Sequence, residues 1–256
     1  MSKEDTKFLE NKKKTNETIG MTAEYVCCDI FDLKNSIEED RIDEKIANKM
    51  KNIVKQFFKD NKLCLTEHLG KNNGKVDFKG KFIDNSSSDL KISMKTLKKK
   101  YGKICPHKGQ PTYKSFHKHY ECDVPNENSS RIEANTLRFN WIKENIGKYL
   151  NIQQENTFCC DYLVLISNCE NKPYIENIKN PKYDFEKEKI SFSRPNYEEP
   201  QNSCKKDGVC EFSTNIFMEP NNRKVGELQF HFKGKLNGKS KGRDGIKFRF
   251  YKQFFK

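Results

Sequence analysis

No stretch of this 256-residue chain is apolar for long enough to cross a bilayer as a helix. The longest runs, such as Tyr162-Leu163-Val164-Leu165-Ile166, fall far short of the roughly 20 residues required. The opening residues Met1-Ser2-Lys3-Glu4-Asp5 carry no apolar signal-peptide core, so a cytoplasmic protein is expected, with no membrane partner. Hydrophobic side chains are scarce, at 34% of the chain. Even so, 19 Phe and 10 Tyr can close a modest core, which excludes a wholly disordered chain. The length suits one domain or two small ones, and no internal repeat is present.

The ten cysteines include no CxxC pair. Cys27, Cys28, Cys159 and Cys160 lie within apolar patterns and read as small buried hydrophobes, free thiols in a reducing compartment. A denser group, Cys105, His107, His117, His119 and Cys122, offers potential zinc ligands at a spacing that fits no common zinc template. A zinc-dependent nucleic-acid-binding module therefore stands as the alternative to a solvated or DNA-facing loop.

Lys and Arg outnumber Asp and Glu by 49 to 36, a formal charge of +13 spread along the whole chain. A polyanion partner is the natural inference, nucleic acid first, because each neutralised phosphate releases counterions. A lysine- and asparagine-rich composition inherited from an AT-rich genome would give the same balance.

Residues 1–15 are polar and lysine-rich and read as a flexible tail. Helical spacing of Ile19, Ala23, Val26, Cys27, Ile30 and Phe31 predicts a helix from about Asn16 to Leu33. A second helix is expected over 38–62, with Ile42, Ile46, Met50, Ile53, Val54, Phe57 and Phe58 as its stripe. Short strands follow near 64–69, 75–83 and 89–97, then helices at 110–120 and 132–150 and an apolar strand at 162–167. Five of the eight prolines fall in 170–222, where long excursions are expected before strands at 226–232 and 246–250. This order predicts a mixed α/β chain of α+β character: a flexible tail (1–15), a helical and catalytic core (16–169) and a β-rich C-terminal region (170–256) completing the core and contacting DNA.

Period-two alternation organises the central hairpin. Val76, Phe78, Gly80 and Phe82 share one face with Leu90, Ile92 and Met94, while Asp77, Lys79 and Lys81 lie opposite with Asp89, Lys91, Ser93 and Lys95. Folded at Ser86, position i pairs with 172 − i, which sets Asp77 across from Lys95. Such a pair can be an ordinary cross-strand ion pair. It is also what phosphodiester hydrolysis uses: a carboxylate for a divalent metal and an amine for the attacking water and developing charge.

An aspartate at a strand start followed by residue-x-Lys in the next strand resembles the PD-(D/E)xK nuclease signature. The segments Gly70-Lys71-Asn72-Asn73-Gly74-Lys75-Val76-Asp77-Phe78, Ile92-Ser93-Met94-Lys95-Thr96, Gly102-Lys103-Ile104-Cys105-Pro106 and Gly109-Gln110-Pro111-Thr112 are similar to parts of type II restriction endonucleases. So are Gly226-Glu227-Leu228-Gln229-Phe230-His231 and Ile246-Lys247-Phe248-Arg249-Phe250. The resemblance implies a restriction-endonuclease-like fold, a central mixed sheet with the catalytic hairpin flanked by helices. It implies Mg²⁺-dependent, site-specific hydrolysis of double-stranded DNA by a homodimer. A cognate DNA methyltransferase would protect host sites without being a stable partner. A nonspecific or repair nuclease of the same superfamily is the neighbouring alternative.

By position, Asp77, Ser93 and Lys95 are the expected catalytic residues, with Ser93 where most of the superfamily has an acid. Asp89-Leu90-Lys91 is the rival assignment that keeps a carboxylate. The metal would take Asp77 and a helix carboxylate, Glu24. Lys98, Lys99, Lys103, Gln110, Gln229, His231, Arg243, Lys247 and Arg249 are expected at DNA, lysines on phosphates and the planar polar groups nearer base edges.

Overall fold

The structure is a computed structural model describing residues 16–70, 76–97, 102–106, 110–123, 125–169, 172–198, 210–231, 234–236, 239–241 and 244–256. The expected tail at 1–15 lies outside the described residues. Along the chain run α1 (Asn16–Ile30), α2 (Glu44–Asp60), β1 (Leu63–His68), β2 (Phe78–Phe82), β3 (Asn85–Leu97), β4 (Lys103–Ile104), α3 (Tyr113–Tyr120), α4 (Arg131–Glu144), α5 (Ile146–Thr157), β5 (Tyr162–Cys169), β6 (Lys172–Lys179), β7 (Ile190–Phe192), β8 (Cys210–Met218), β9 (Arg223–His231), β10 (Gly234–Leu236), β11 (Lys239–Lys241) and β12 (Gly245–Tyr251). The fold is mixed α/β. None of the described helices is long and apolar enough to cross a membrane.

The chain divides into two compact units: residues up to Gly102 with Phe158–Pro181 and Lys256, and Lys103–Thr157 with Lys182–Phe255. The composition-based border at 169/170 cuts through the β5–β6 hairpin. The helices of 103–157 belong with the C-terminal strands instead. Composition marks where polarity changes along the chain; strand pairing decides which segments share a core.

In the first unit the sheet order is β1-β2-β3-β5-β6, with β3 and β5 parallel and every other pair antiparallel. Helix α2 forms because Ile46, Met50, Val54 and Phe58 recur every fourth residue and are all buried. With Ile19, Ala23, Val26 and Cys27 of α1 they cover Phe78, Ile92, Met94, Val164 and Ile166 of the sheet. Asp43 caps α2, its carboxylate accepting from the Ile46 amide at 3.2 Å, and its own amide donates to Thr22 Oγ1 of α1 at 3.0 Å. Asp43→Ala removes the cap and leaves the second bond, so a loss of about 1 kcal/mol is expected. A lower urea midpoint at unchanged m-value would show it.

In the second unit the order is β4-β12-β9-β8-β7, all antiparallel, beside a small β10–β11 hairpin. Its core is phenylalanine-rich, with Phe116, Phe139, Phe212, Phe230, Phe248, Phe250 and Phe254 all at or below 1% exposure. The single helix expected over 132–150 is two. At Asn145 both the backbone amide and the side-chain amide turn back onto the Trp141 carbonyl, at 3.0 and 2.9 Å, and α5 starts afresh.

The hairpin sidedness is as the alternation requires, but its register differs. The turn is Ile83-Asp84, with Phe82 opposite Asn85, and after an irregularity the ladder pairs Gly80 with Leu90 and Phe78 with Ile92. Position i therefore meets 170 − i, a two-residue slip that keeps every side chain on its face. Asp77 is not the cross-strand partner of Lys95. It sits one residue beyond the ladder, in a bend.

Candidate active site

Because β2 begins at Phe78, Asp77 is released from the pleat and its carboxylate turns toward β3, where Oδ2 accepts the Met94 amide at 2.7 Å. The Asp77 carbonyl accepts the Leu69 amide at 2.9 Å, so the bend is held on both sides. Glu24 of α1, Lys95 of β3 and His68 of β1 all act electrostatically on this carboxylate. Burial, first, and the Glu24 charge, second, push the Asp77 carboxyl up to about 6, against the Met94 amide, Lys95 and His68, which pull it down. Glu24 and Lys95, both singled out from the sequence, thus act on the charge of Asp77.

Sequence reasoning missed His68. Its side chain is 3% exposed, with Nε2 3.5 Å from Glu24 Oε2 and its ring centroid 5.0 Å from that of Phe78. Hydrogen bonding to Cys28, then to Glu24, raises the imidazole to about 9, so it is cationic at neutral pH. Nothing in the local alternation announces this role, because His68 ends its strand.

Ser93 is fully buried, and its hydroxyl lies within hydrogen-bonding reach of Cys160, whose thiol is pushed up to about 12, chiefly by burial. Asp89 is exposed and its charge acts on Lys79; it is not among the groups acting on Asp77. The Asp77 carboxylate accepts the amide next to Lys95, and the Lys95 charge acts on it.

The residues suit a hard cation. Asp77 and Glu24 are like charges in a desolvated setting, and a divalent ion offsets the repulsion that raises Asp77. Mg²⁺ is commonly held by one or two carboxylates and retains several waters. Among the described residues no three or more His, Cys, Asp and Glu groups are arranged to hold a metal. Of the five candidate zinc ligands, His117 Nδ1 and Cys122 Sγ meet at 3.5 Å, while Cys105 and His119 are exposed and His107 lies outside the described residues.

The remaining expected residues fall on the second unit. Register pairs Gln229 with Lys247 and Glu227 with Arg249, on the sheet face opposite the buried Leu228, Phe230, Phe248 and Phe250. Arg249 donates to Gln229 Oε1 at 2.8 Å, and His231 Nε2 is 3.0 Å from the same oxygen. Lys103 pairs with Glu227 at 2.7 Å. Gln110 spends its amide on the Phe248 carbonyl at 3.0 Å. Lys98, Lys99 and Arg243 lie outside the described residues.

No protein-family model matches this chain, and no curated protein matches it.

Proposed function

We propose that this protein is a Mg²⁺-dependent, site-specific endonuclease that hydrolyses phosphodiester bonds of double-stranded DNA, of the type II restriction class with a PD-(D/E)xK site. The observation that carries the proposal is the Asp77 carboxylate at the open end of the β2–β3 hairpin, where Oδ2 accepts the amide of Met94, the residue beside Lys95, and where the Glu24 and Lys95 charges both act on it. Asp77 and Glu24 would hold the ion, which when bound supplies charge neutralisation at the phosphate and a more acidic water. Lys95 would orient the attacking water and stabilise charge that develops on the phosphoryl oxygens. The buried Ser93 would support the strand that presents Lys95.

The net charge of +13 supports a nucleic-acid partner. Lys247 and Arg249, on the polar face of the second unit's sheet, are the residues proposed to meet DNA there, beside Gln229, His231 and Lys103. A homodimer on a two-fold site and a cytoplasmic location complete the proposal.

Phage DNA incubated with the protein and Mg²⁺ is expected to give discrete fragments, and EDTA is expected to abolish them. A continuous smear would instead indicate a nonspecific nuclease of the same chemistry, and intact DNA under all metal conditions would overturn the proposal.

A further inference from the structure

We infer that His68 is a positioning residue: its imidazole holds the Glu24 carboxylate turned toward Asp77, so that the two acids are set as a pair before a divalent cation arrives. The inference rests on the reading of Asp77 and Glu24 as the cation-holding pair.

The backbone supplies the first reason. From Leu63 to Leu65, β1 pairs with β2 in one register, and past that point the register shifts by one, so that Glu67 meets Lys79 and His68 meets Phe78. Without the irregularity at Thr66, Phe78 would face Glu67, and His68 would point away from the helices. The extra residue re-aims His68 onto the face covered by α1, and bulges beside functional sites commonly do this.

The side-chain surroundings supply the second reason. Glu24 and Cys28 are one turn apart on α1 and both engage the ring, Glu24 at 3.5 Å. Phe78 packs on it at 5.0 Å between centroids, which fixes the ring plane. Phe78 is also the immediate neighbour of Asp77. An apolar residue would fill this seam between helix and sheet without the cost of burying a polar ring. What imidazole adds is an N–H directed at one specific carboxylate, the arrangement by which outer groups orient metal-binding acids.

The test is titration of Mn²⁺ into the full-length protein without DNA, followed by calorimetry. His68→Gln keeps an N–H donor near the Nε2 position and is expected to bind Mn²⁺ within about threefold of the native chain. His68→Phe keeps the packing without the donor, and His68→Asn shortens the reach. Both are expected to bind about 10–100-fold more weakly. If His68→Phe does not fold, the Asn and Gln variants still make the comparison. Native-like affinity in the Phe or Asn variant would overturn the positioning role, as would equal losses in Gln, Phe and Asn. Glu24→Gln and Asp77→Asn separate the two levels. If these weaken Mn²⁺ binding and the His68 variants do not, only this inference fails. If the native chain binds no Mn²⁺, or binds it regardless of Asp77 and Glu24, the cation site itself fails and this inference with it.

Discussion

Asp77→Asn is expected to abolish DNA cleavage, by at least about 10³-fold, and at the same time to make the protein more stable. The first effect follows from removing a charged oxygen ligand of the proposed cation. The second follows from the pKa. Asp77 is raised from 3.8 to about 6 in the folded chain, so its charge is disfavoured there relative to the unfolded chain. Below about pH 3 the group is protonated in both states and imposes no penalty. As pH rises through 6 the folded protein must give up a proton it holds more tightly, and the full cost is reached above about pH 7. The rise from 3.8 to about 6 corresponds to about 3 kcal/mol. Asparagine keeps an oxygen to accept the Met94 amide and carries no charge. The Tm of the unit carrying residue 77 is therefore expected to rise by roughly 6–12 °C at pH 7.5 and by about a third of that at pH 4.5. His68 is raised to about 9 in the native chain, so its charge there is the same at both pH values. Thermal scans at the two pH values check this. A variant less stable than native at pH 7.5 would show that the carboxylate is satisfied as a structural ion.

Lys95→Met carries the second large effect, a fall in single-turnover cleavage of about 10²–10³-fold that persists at saturating Mn²⁺. Methionine approximates the length of the lysine stem without its ammonium. A lysine that only neutralised Asp77 would behave otherwise: its loss would raise the Asp77 carboxyl, and once saturating Mn²⁺ had displaced that proton the rate would recover. Measuring the metal dependence of the rate in both proteins separates these roles, because saturating Mn²⁺ restores the second and not the first.

Much of the first unit was legible because its segments obey one period at a time. The fourfold spacing of Ile46, Met50, Val54 and Phe58 announces α2, and the alternation through Val76–Phe82 and Leu90–Met94 assigns each side chain to its face. That alternation also put Asp77 and Lys95 on one face, while Glu24 came from the nuclease resemblance, which implies a carboxylate on the preceding helix.

The register was not legible. A two-residue turn at Ile83-Asp84 has neither glycine nor asparagine at its centre, whereas Ser86-Ser87-Ser88 reads as the natural loop. Period-two reasoning is blind to a slip of two. His68 was hidden for a related reason: the irregularity at Thr66 reverses its face, and no residue type marks it. The division into units was hidden as well, since the phenylalanines of β8, β9 and β12 reveal strands without revealing that α3–α5 complete their core.

The central claim is that Asp77 is a desolvated carboxylate whose charge answers to Glu24 and Lys95, and the titration of the Asp77 carboxyl carbon, followed by NMR in the metal-free protein, tests it most directly. The account predicts a midpoint near 6 that falls in Glu24→Gln, rises in Lys95→Met and is driven down by added Mg²⁺. A midpoint near the ordinary aspartate value, indifferent to Glu24, Lys95 and Mg²⁺ alike, would contradict it.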